Sequence, residues 1–437
     1  MRVSGLCIAI VGWLVAAHPI LVSQAAADDG DICPRASALA ELRLAACTRE
    51  IESGRLQGSE LAAAYFNRGI ANRSLGDIDR ALADYGQAIR LDPENPLAYT
   101  GRGALYLMKG DVESAIADYS EVIRIDPGFA VGFYNRGNAY VRMGDGDRAI
   151  SDFDEAIRLD PAFILPRLAR GAVYGATGDI DAAIAEYSDV IEIDPNSADA
   201  YDNRASAFAA KHDYDDAIAD FAEVIRLVPN YAVAYQSRGL AYHAKRDLDH
   251  AIADYSRAIG INPDYIEAYN NRARAFVSKG DLDHAIADYD DVIRLDPDDH
   301  LAYDNRGLAY YAKRDLGHAV ADFSVAIAQE PGYAASYSNR GNAYDDAGDH
   351  DRAIADYSEA IRLDAGNAEF VYNRGVAYAA KGDFDHAVAD YGEAIRLDPA
   401  LAFAYLSRGL ARRAQGDAAG ADADIAKAEQ LNPNLGR

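Results

Sequence analysis

From Ala62 onward, apolar and polar positions fall into two blocks that return together every 34 residues. The stretch from Phe133 to Pro161, FYNRGNAYVRMGDGDRAISDFDEAIRLDP, is representative. Its second block places Ala149, Ile150, Phe153, Ala156 and Ile157 on one helical stripe, with Asp and Arg on the opposite side. The first block is also helical in period and closes on Gly144, a residue suited to a left-handed C-terminal cap. Asp145 follows, placed to cap the second helix, and Leu-Asp-Pro ends it because proline cannot continue a helix. Each unit therefore predicts two amphipathic helices, A over about its first fourteen positions and B up to the proline.

Eleven such units run without insertion from Ala62 to Leu435, which makes the chain a stacked array. Proline marks the unit end at 93, 127, 161, 195, 229, 263, 297, 331, 399 and 433, and only Ala365 departs. The eighth position is Gly in nine units and Ala in two, Ala205 and Ala273. Glycine inside a helix costs about 0.5–1 kcal/mol, so close helix crossing is expected there. The twentieth position is Ala throughout, from Ala81 to Ala421, and is the expected partner in that crossing. Rings at Tyr85, Tyr119 and Phe153 are read as core. In the last unit Asp422 and Glu429 stand where earlier units have Ile, as expected of a solvated end cap.

The pattern resembles the tetratricopeptide repeat. The residues that carry the resemblance are, in the third unit, Phe133, Arg136-Gly137, Tyr140, Ala149, Phe153, Ala156 and Pro161. The resemblance implies an all-α fold, a right-handed superhelical solenoid of antiparallel helix pairs, with helix A lining a concave face. Two positions depart from the family. The seventh, commonly Leu, is Arg in all eleven units, from Arg68 to Arg408. The twenty-third, commonly apolar or aromatic, is Asp or Glu in all eleven, from Asp84 to Asp424. Two apolar-to-charged exchanges kept together predict an Arg–carboxylate pair joining helix A to helix B of the same unit, or to the adjacent helix of the next.

Charge narrows the class of partner. With 70 Asp and Glu against 43 Lys and Arg, the net charge is −27, which disfavours nucleic acid and anionic membranes. The N-terminus reads as an export signal: Arg2, an apolar run from Leu6 to Ala17, then Ala25-Ala26-Ala27 before Asp28-Asp29. The expected organisation is a signal peptide over 1–27, a capping segment over 28–61 with a helix over Ala36–Ile51, and the array over 62–435. This places the mature chain in the periplasm, without membrane insertion after cleavage. Once Cys7 is removed, Cys33 and Cys47 remain as an even pair, predicting a disulfide at the end of the array. In the chain-entropy model such a loop contributes about 3 kcal/mol.

In the family, ligands lie along the concave face on helix-A side chains. The sixth position is Asn in seven units: Asn67, Asn135, Asn203, Asn271, Asn305, Asn339 and Asn373. An amide offers donor and acceptor together and can pair with an extended backbone without reading its side chains. The series resembles the asparagine ladder of O-linked N-acetylglucosamine transferases. Phe66, Tyr134, Tyr311 and Tyr372 are expected to add aromatic surface, and Asp202, Asp304, Asp345 and Asp346 an acidic stretch. Late helix-A sites are largely small (Ala210, Ala244, Ala312, Ala380), so the Lys/Asn carboxylate clamp of chaperone-binding relatives is not expected. His250, His284, His318 and His386 share one position, but helices packed 8–10 Å apart cannot bring them to one metal, so no metal or cofactor is expected. No phosphate loop, nucleophile elbow or catalytic carboxylate pair accompanies the array. The expectation is a non-enzymatic, exported scaffold for an extended polypeptide or protein partner. A cell-envelope polymer or glycan-handling accessory factor is the second reading.

Overall fold

The computed structural model describes residues 40–434, so the stretch expected to be a signal peptide, Cys33 with the expected disulfide, and the last three residues lie outside it. The described residues form 23 helices and no strand. The opening helix, Ala40–Glu52, stops before Gly54, whose φ of 66° lies in the left-handed region. Cys47 is buried on this helix. Eleven helix pairs follow, from Gly58–Ser74 with Ile78–Leu91 to Ala402–Ala414 with Ala418–Leu431. The first helix A begins four residues ahead of the register set by Ala62, because no Leu-Asp-Pro precedes it to hold the chain extended.

The chain divides into two compact units, one ending at Pro229 and one beginning at Asn230. The first holds the opening helix and five pairs; the second holds six. Within each, every helix packs on its sequence neighbours, and A helices of successive repeats also touch, as Ala130–Met143 touches Ile164–Thr177. All eleven B helices start on an N-cap Asp, and in ten the carboxylate accepts from the backbone N–H three residues on. Asp213 is the exception. At the A–B junction glycine occupies the left-handed position in eight repeats, whereas His212, Arg246 and Arg314 hold φ of 66°, 64° and 64° there.

The core of each of the first ten repeats is a ring set between two glycine-or-small positions, and Ile425 takes that place in the eleventh. Alanines at the twentieth position have essentially no exposure, and the rings four residues on, such as Tyr85 and Phe153, are equally covered. A Cβ placed on Gly137 would lie 2.6 Å from the Phe153 ring, and one on Gly239 would lie 2.7 Å from Tyr255. The crossing partner of the eighth-position glycine is thus the ring sixteen residues on, rather than the alanine expected from the sequence. A methyl group is too short to need glycine opposite it; a flat ring laid across the helix backbone does.

The Arg–carboxylate pairs form within each repeat. In ten of the eleven, Nε and Nη2 of Arg grip both carboxylate oxygens, as in Arg136–Asp152 at 2.9 and 2.8 Å and Arg272–Asp288 at 2.9 and 2.6 Å. In the fourth repeat the longer Glu186 takes one bond from Arg170, at 2.5 Å. The carboxylates are buried. In seven repeats the remaining Arg nitrogen also reaches back to helix B of the preceding repeat, as to Ser120 from Arg136 (3.2 Å) and to Ser256 from Arg272 (2.9 Å). The guanidinium also covers the helix-A ring three residues earlier, 5.8 Å above Phe133 and 5.7 Å above Tyr269. One side chain therefore ties three helices. Lysines near the end of helix A add exposed links to the preceding helix B, as Lys109 to Asp79 at 2.8 Å.

Candidate functional site

Within each of the two units the A helices carry their sixth-position asparagines in register, and the buried rings set what lies beneath them. A Cβ on Gly101, the sixth residue of its repeat, would lie 2.8 Å from Cζ of Tyr85, in the repeat before. A ring that starts under the eighth position of its own repeat thus ends beside the sixth position of the next. Where that ring is tyrosine its hydroxyl is covered: that of Tyr357 donates to Asn342 at 2.7 Å, and that of Tyr255 is buried. Burial pushes the Tyr289 phenol up to about 12 and raises those of Tyr85, Tyr119, Tyr255 and Tyr357 too, so all remain protonated donors at neutral pH.

All seven asparagines are half-buried. Among the described residues the amides of Asn67, Asn135, Asn203, Asn271 and Asn305 have no hydrogen-bond partner, while two are engaged within the face. Asn339 donates to both oxygens of Asp304, at 3.3 and 3.1 Å, and Asn373 donates to Oδ1 of Asn342 at 3.4 Å.

The fifth position behaves differently from its expected role. Tyr134 does not face the groove: it is 7% exposed and packs on Phe153 and Phe163, with ring centroids 6.1 and 5.3 Å away. Phe66 and Tyr372 lean on Tyr85 and Tyr391 in the same way, although the Tyr372 hydroxyl reaches Ser407 at 3.3 Å. The fifth residue points into the seam between successive repeats, so a large apolar group there is absorbed by packing. Asp304, at this position, is buried with Ser336 (2.6 Å) and Asn339 as its partners, and burial raises its pKa. Asp202 is largely buried, and burial pushes its carboxyl up to about 6.

Tyr311, Asp345, Asp346 and Asn373 do meet. They line an open pocket of about 90 Å³ with Asn342, Tyr357 and Val376. The Tyr311 hydroxyl donates to Asp346 at 2.7 Å, and Arg314 pairs with the same carboxylate at 2.6 Å. His350 holds Asp345 at 2.6 Å, and the Tyr357 hydroxyl donates to Asn342 at 2.7 Å. Sequence reasoning missed Asn342 and the phenol beneath it. The available signal was a tyrosine at a core ring position, whose hydroxyl must find an outlet that phenylalanine does not need.

The shared-position histidines lie elsewhere. His250, His284, His318 and His386 each bond the N-cap Asp of their own helix at 2.8 Å and stack on a helix-A ring, as His250 on Tyr242 at 5.0 Å. Among the described residues no group of three His, Cys, Asp or Glu side chains is placed to hold a metal ion, and no helix is long and apolar enough to cross a membrane.

Profiles described as tetratricopeptide repeat match residues 66–128, 130–163 and 232–265, and a TPR repeat profile matches 176–211, 273–313, 341–382 and 377–416. The chain belongs to the tetratricopeptide repeat family. Proteins of this family generally mediate protein–protein interactions. No curated protein sequence matches the chain. Among solved structures, the chain is similar to one titled "Crystal structure of APC/C hetero-tetramer Cut9-Hcn1", at 16% identity, covering 90% of this chain and 91% of that one, with a TM-score of 0.42. It is similar to yeast Tom70 at 15% identity, covering 85% and 92%, with a TM-score of 0.41. YrrB, titled "a TPR protein with an unusual peptide-binding site", is 24% identical over 42% of this chain and 95% of its own, with a TM-score of 0.36.

Proposed function

We propose that this tetratricopeptide protein is an exported, non-enzymatic scaffold that holds an extended polypeptide along its helix-A face. The observation that carries the reading is the set of half-buried, unpartnered asparagine amides at the sixth position of the A helices. A half-buried amide without a partner forfeits hydrogen bonds, and an extended backbone supplies a donor and an acceptor at each residue. The face reads no side chain at these points, so specificity must come from the positions between them. Export follows from the order of charge, apolar run and small residues at the N-terminus, and the periplasm is the proposed compartment.

The test places a photo-crosslinking residue at Asn305, on the face, and in a second variant at His284, on a B helix. In cells, a polypeptide adduct from position 305 and none from 284 is the expected result. Adducts from both positions alike, or retention only on purified wall polysaccharide, overturns the reading. Fractionation of the same cells by osmotic shock checks export, which fails if the chain stays with the cytoplasm.

A further inference from the structure

We infer that the eleventh repeat, Ala402–Ala414 with Ala418–Leu431, is a flap that opens from the tenth as an intact helix pair while the preceding repeats of its unit stay closed. Two polar links join successive repeats in this unit. The first is the third guanidinium nitrogen of the seventh-position arginine, which bonds the twenty-fifth residue of the repeat before. Arg272 reaches Ser256 at 2.9 Å, Arg306 Asp290 at 2.5 Å, Arg340 Ser324 at 3.0 Å and Arg374 Ser358 at 3.1 Å. The three serines donate their own protons to the carbonyl four residues back, at 2.6–2.7 Å, which leaves the hydroxyl oxygen to accept from arginine. The second link is a lysine at the end of helix A that reaches the preceding helix B, as Lys279 to Asp249 at 2.5 Å.

Both links change at the last joint. Gly392 stands at the twenty-fifth position of the tenth repeat, so Nη1 of Arg408 has no hydroxyl or carboxylate there to bond. A Cβ on Gly392 would lie 3.6 Å from that nitrogen, so the space that serine fills in other repeats is present. The lysine is replaced by Gln415, whose bond to Asp385 at 2.6 Å is exposed and has an uncharged donor. The joint between the eighth and ninth repeats also lacks the lysine, having Ala347, yet it keeps Arg340–Ser324. Among the described residues of this unit, the tenth-to-eleventh joint alone is short of both.

Inside the eleventh repeat the ties are more numerous instead. Arg408 grips Asp424 at 2.9 and 2.7 Å, Arg412 bonds the same carboxylate at 2.8 Å, and Arg413 pairs with Asp422 at 2.7 Å. The tenth repeat holds it through the apolar seam of Val371, Ala394 and Ala404 with Leu397 and Leu401, and through one hydroxyl contact, Tyr372 to Ser407 at 3.3 Å. A body fastened within itself, and held to its neighbour mainly by non-directional contacts, opens as one unit. Burial of the seam keeps the closed form dominant, and opening bares Val371 and Leu397. Fraying of a chain end would instead loosen Ala418–Leu431 first and leave Ala402–Ala414 in place.

The test is native-state hydrogen exchange, read by mass spectrometry on the full chain and on G392S, G392A and Q415K. Expected is exchange of Ala402–Ala414 and Ala418–Leu431 at one common rate, about ten-fold faster than Phe384–Leu397 of the tenth repeat. G392S supplies the missing hydroxyl and should slow the pair about five-fold. Serine holds this place in five other repeats, so the variant keeps the fold. G392A improves the propensity of its own helix without a hydroxyl and should slow the pair less than about two-fold. Q415K should slow it as well, a gain lost in about 0.5 M salt. Faster exchange of Ala418–Leu431 than of Ala402–Ala414, a pair no faster than the tenth repeat, or equal slowing by G392S and G392A overturns the flap.

Discussion

At the scale of single residues, burial sets chemistry that charge counting does not reveal. Asp202 lies in the seam between A helices, and desolvation pushes its carboxyl up to about 6, with Asp199 adding to it. A carboxylate whose folded pKa stands above its unfolded value destabilises the fold where it is ionised. That penalty is full above about pH 6 and disappears as pH falls through 6 toward the ordinary aspartate value. Asp202→Asn should therefore stabilise the chain by about 1–3 kcal/mol at pH 7.5 and have no effect below pH 4. Urea denaturation of both proteins at the two pH values checks it; an equal difference at both shows that desolvation is not the cause. Gly137 makes the opposite kind of prediction. A methyl group there would meet the Phe153 ring at 2.6 Å, and Gly137→Ala should cost about 1–2 kcal/mol despite the better helix propensity of alanine. Repeats five and seven carry Ala205 and Ala273 at this position, fully buried, so there the ring or backbone gives way.

Among the helices, the Arg–carboxylate pairs hold the repeat together. Arg272 ties its own helix to Leu282–Leu295 through Asp288 and to the preceding B helix through Ser256. Removing one partner leaves a buried charge, so Arg272→Leu or Asp288→Leu alone should cost about 3–5 kcal/mol. Converting both residues to the apolar types usual in the family, Arg272→Leu with Asp288→Leu, should restore stability to within about 1 kcal/mol of the native chain. Chemical denaturation of both single variants and the double one completes the cycle; additive losses refute the pairing as the source of the energy. The geometry also explains why the pair recurs in every repeat. With near-identical helices, an apolar seam accepts neighbouring registers, whereas a bidentate fork closes in one.

For the whole molecule, the last described helix, Ala418–Leu431, carries polar residues where helix B of the earlier repeats is apolar. Asp422 and Glu429 on the last helix are exposed, and Asp422 pairs with Arg413 at 2.7 Å. Restoring the internal residues there, Asp422→Ile with Glu429→Ile, uncovers an apolar helix face with no repeat to cover it. The expected result is concentration-dependent self-association in sedimentation velocity, with helix content unchanged. A variant that sediments as the native chain would show that the last helix is not a cap.

The sequence by itself determined the repeat, the helix pairs, the N-cap aspartates and the Arg–carboxylate pairing. Each is a local rule of period, cap or paired exchange copied eleven times, and copying makes the signal legible. Tertiary structure alone decided what the helix-A face displays. Tyr134 and Asn135 are neighbours in sequence, yet one fills the seam and the other keeps a free amide, because the fifth position points between stacked repeats and the sixth does not. The reach of the Tyr85 ring to Gly101, the Arg136–Ser120 bond and the Asn339–Asp304 contact depend on how one repeat lies on the next. Those contacts join residues some 16 to 35 positions apart, and no period within a single helix encodes them.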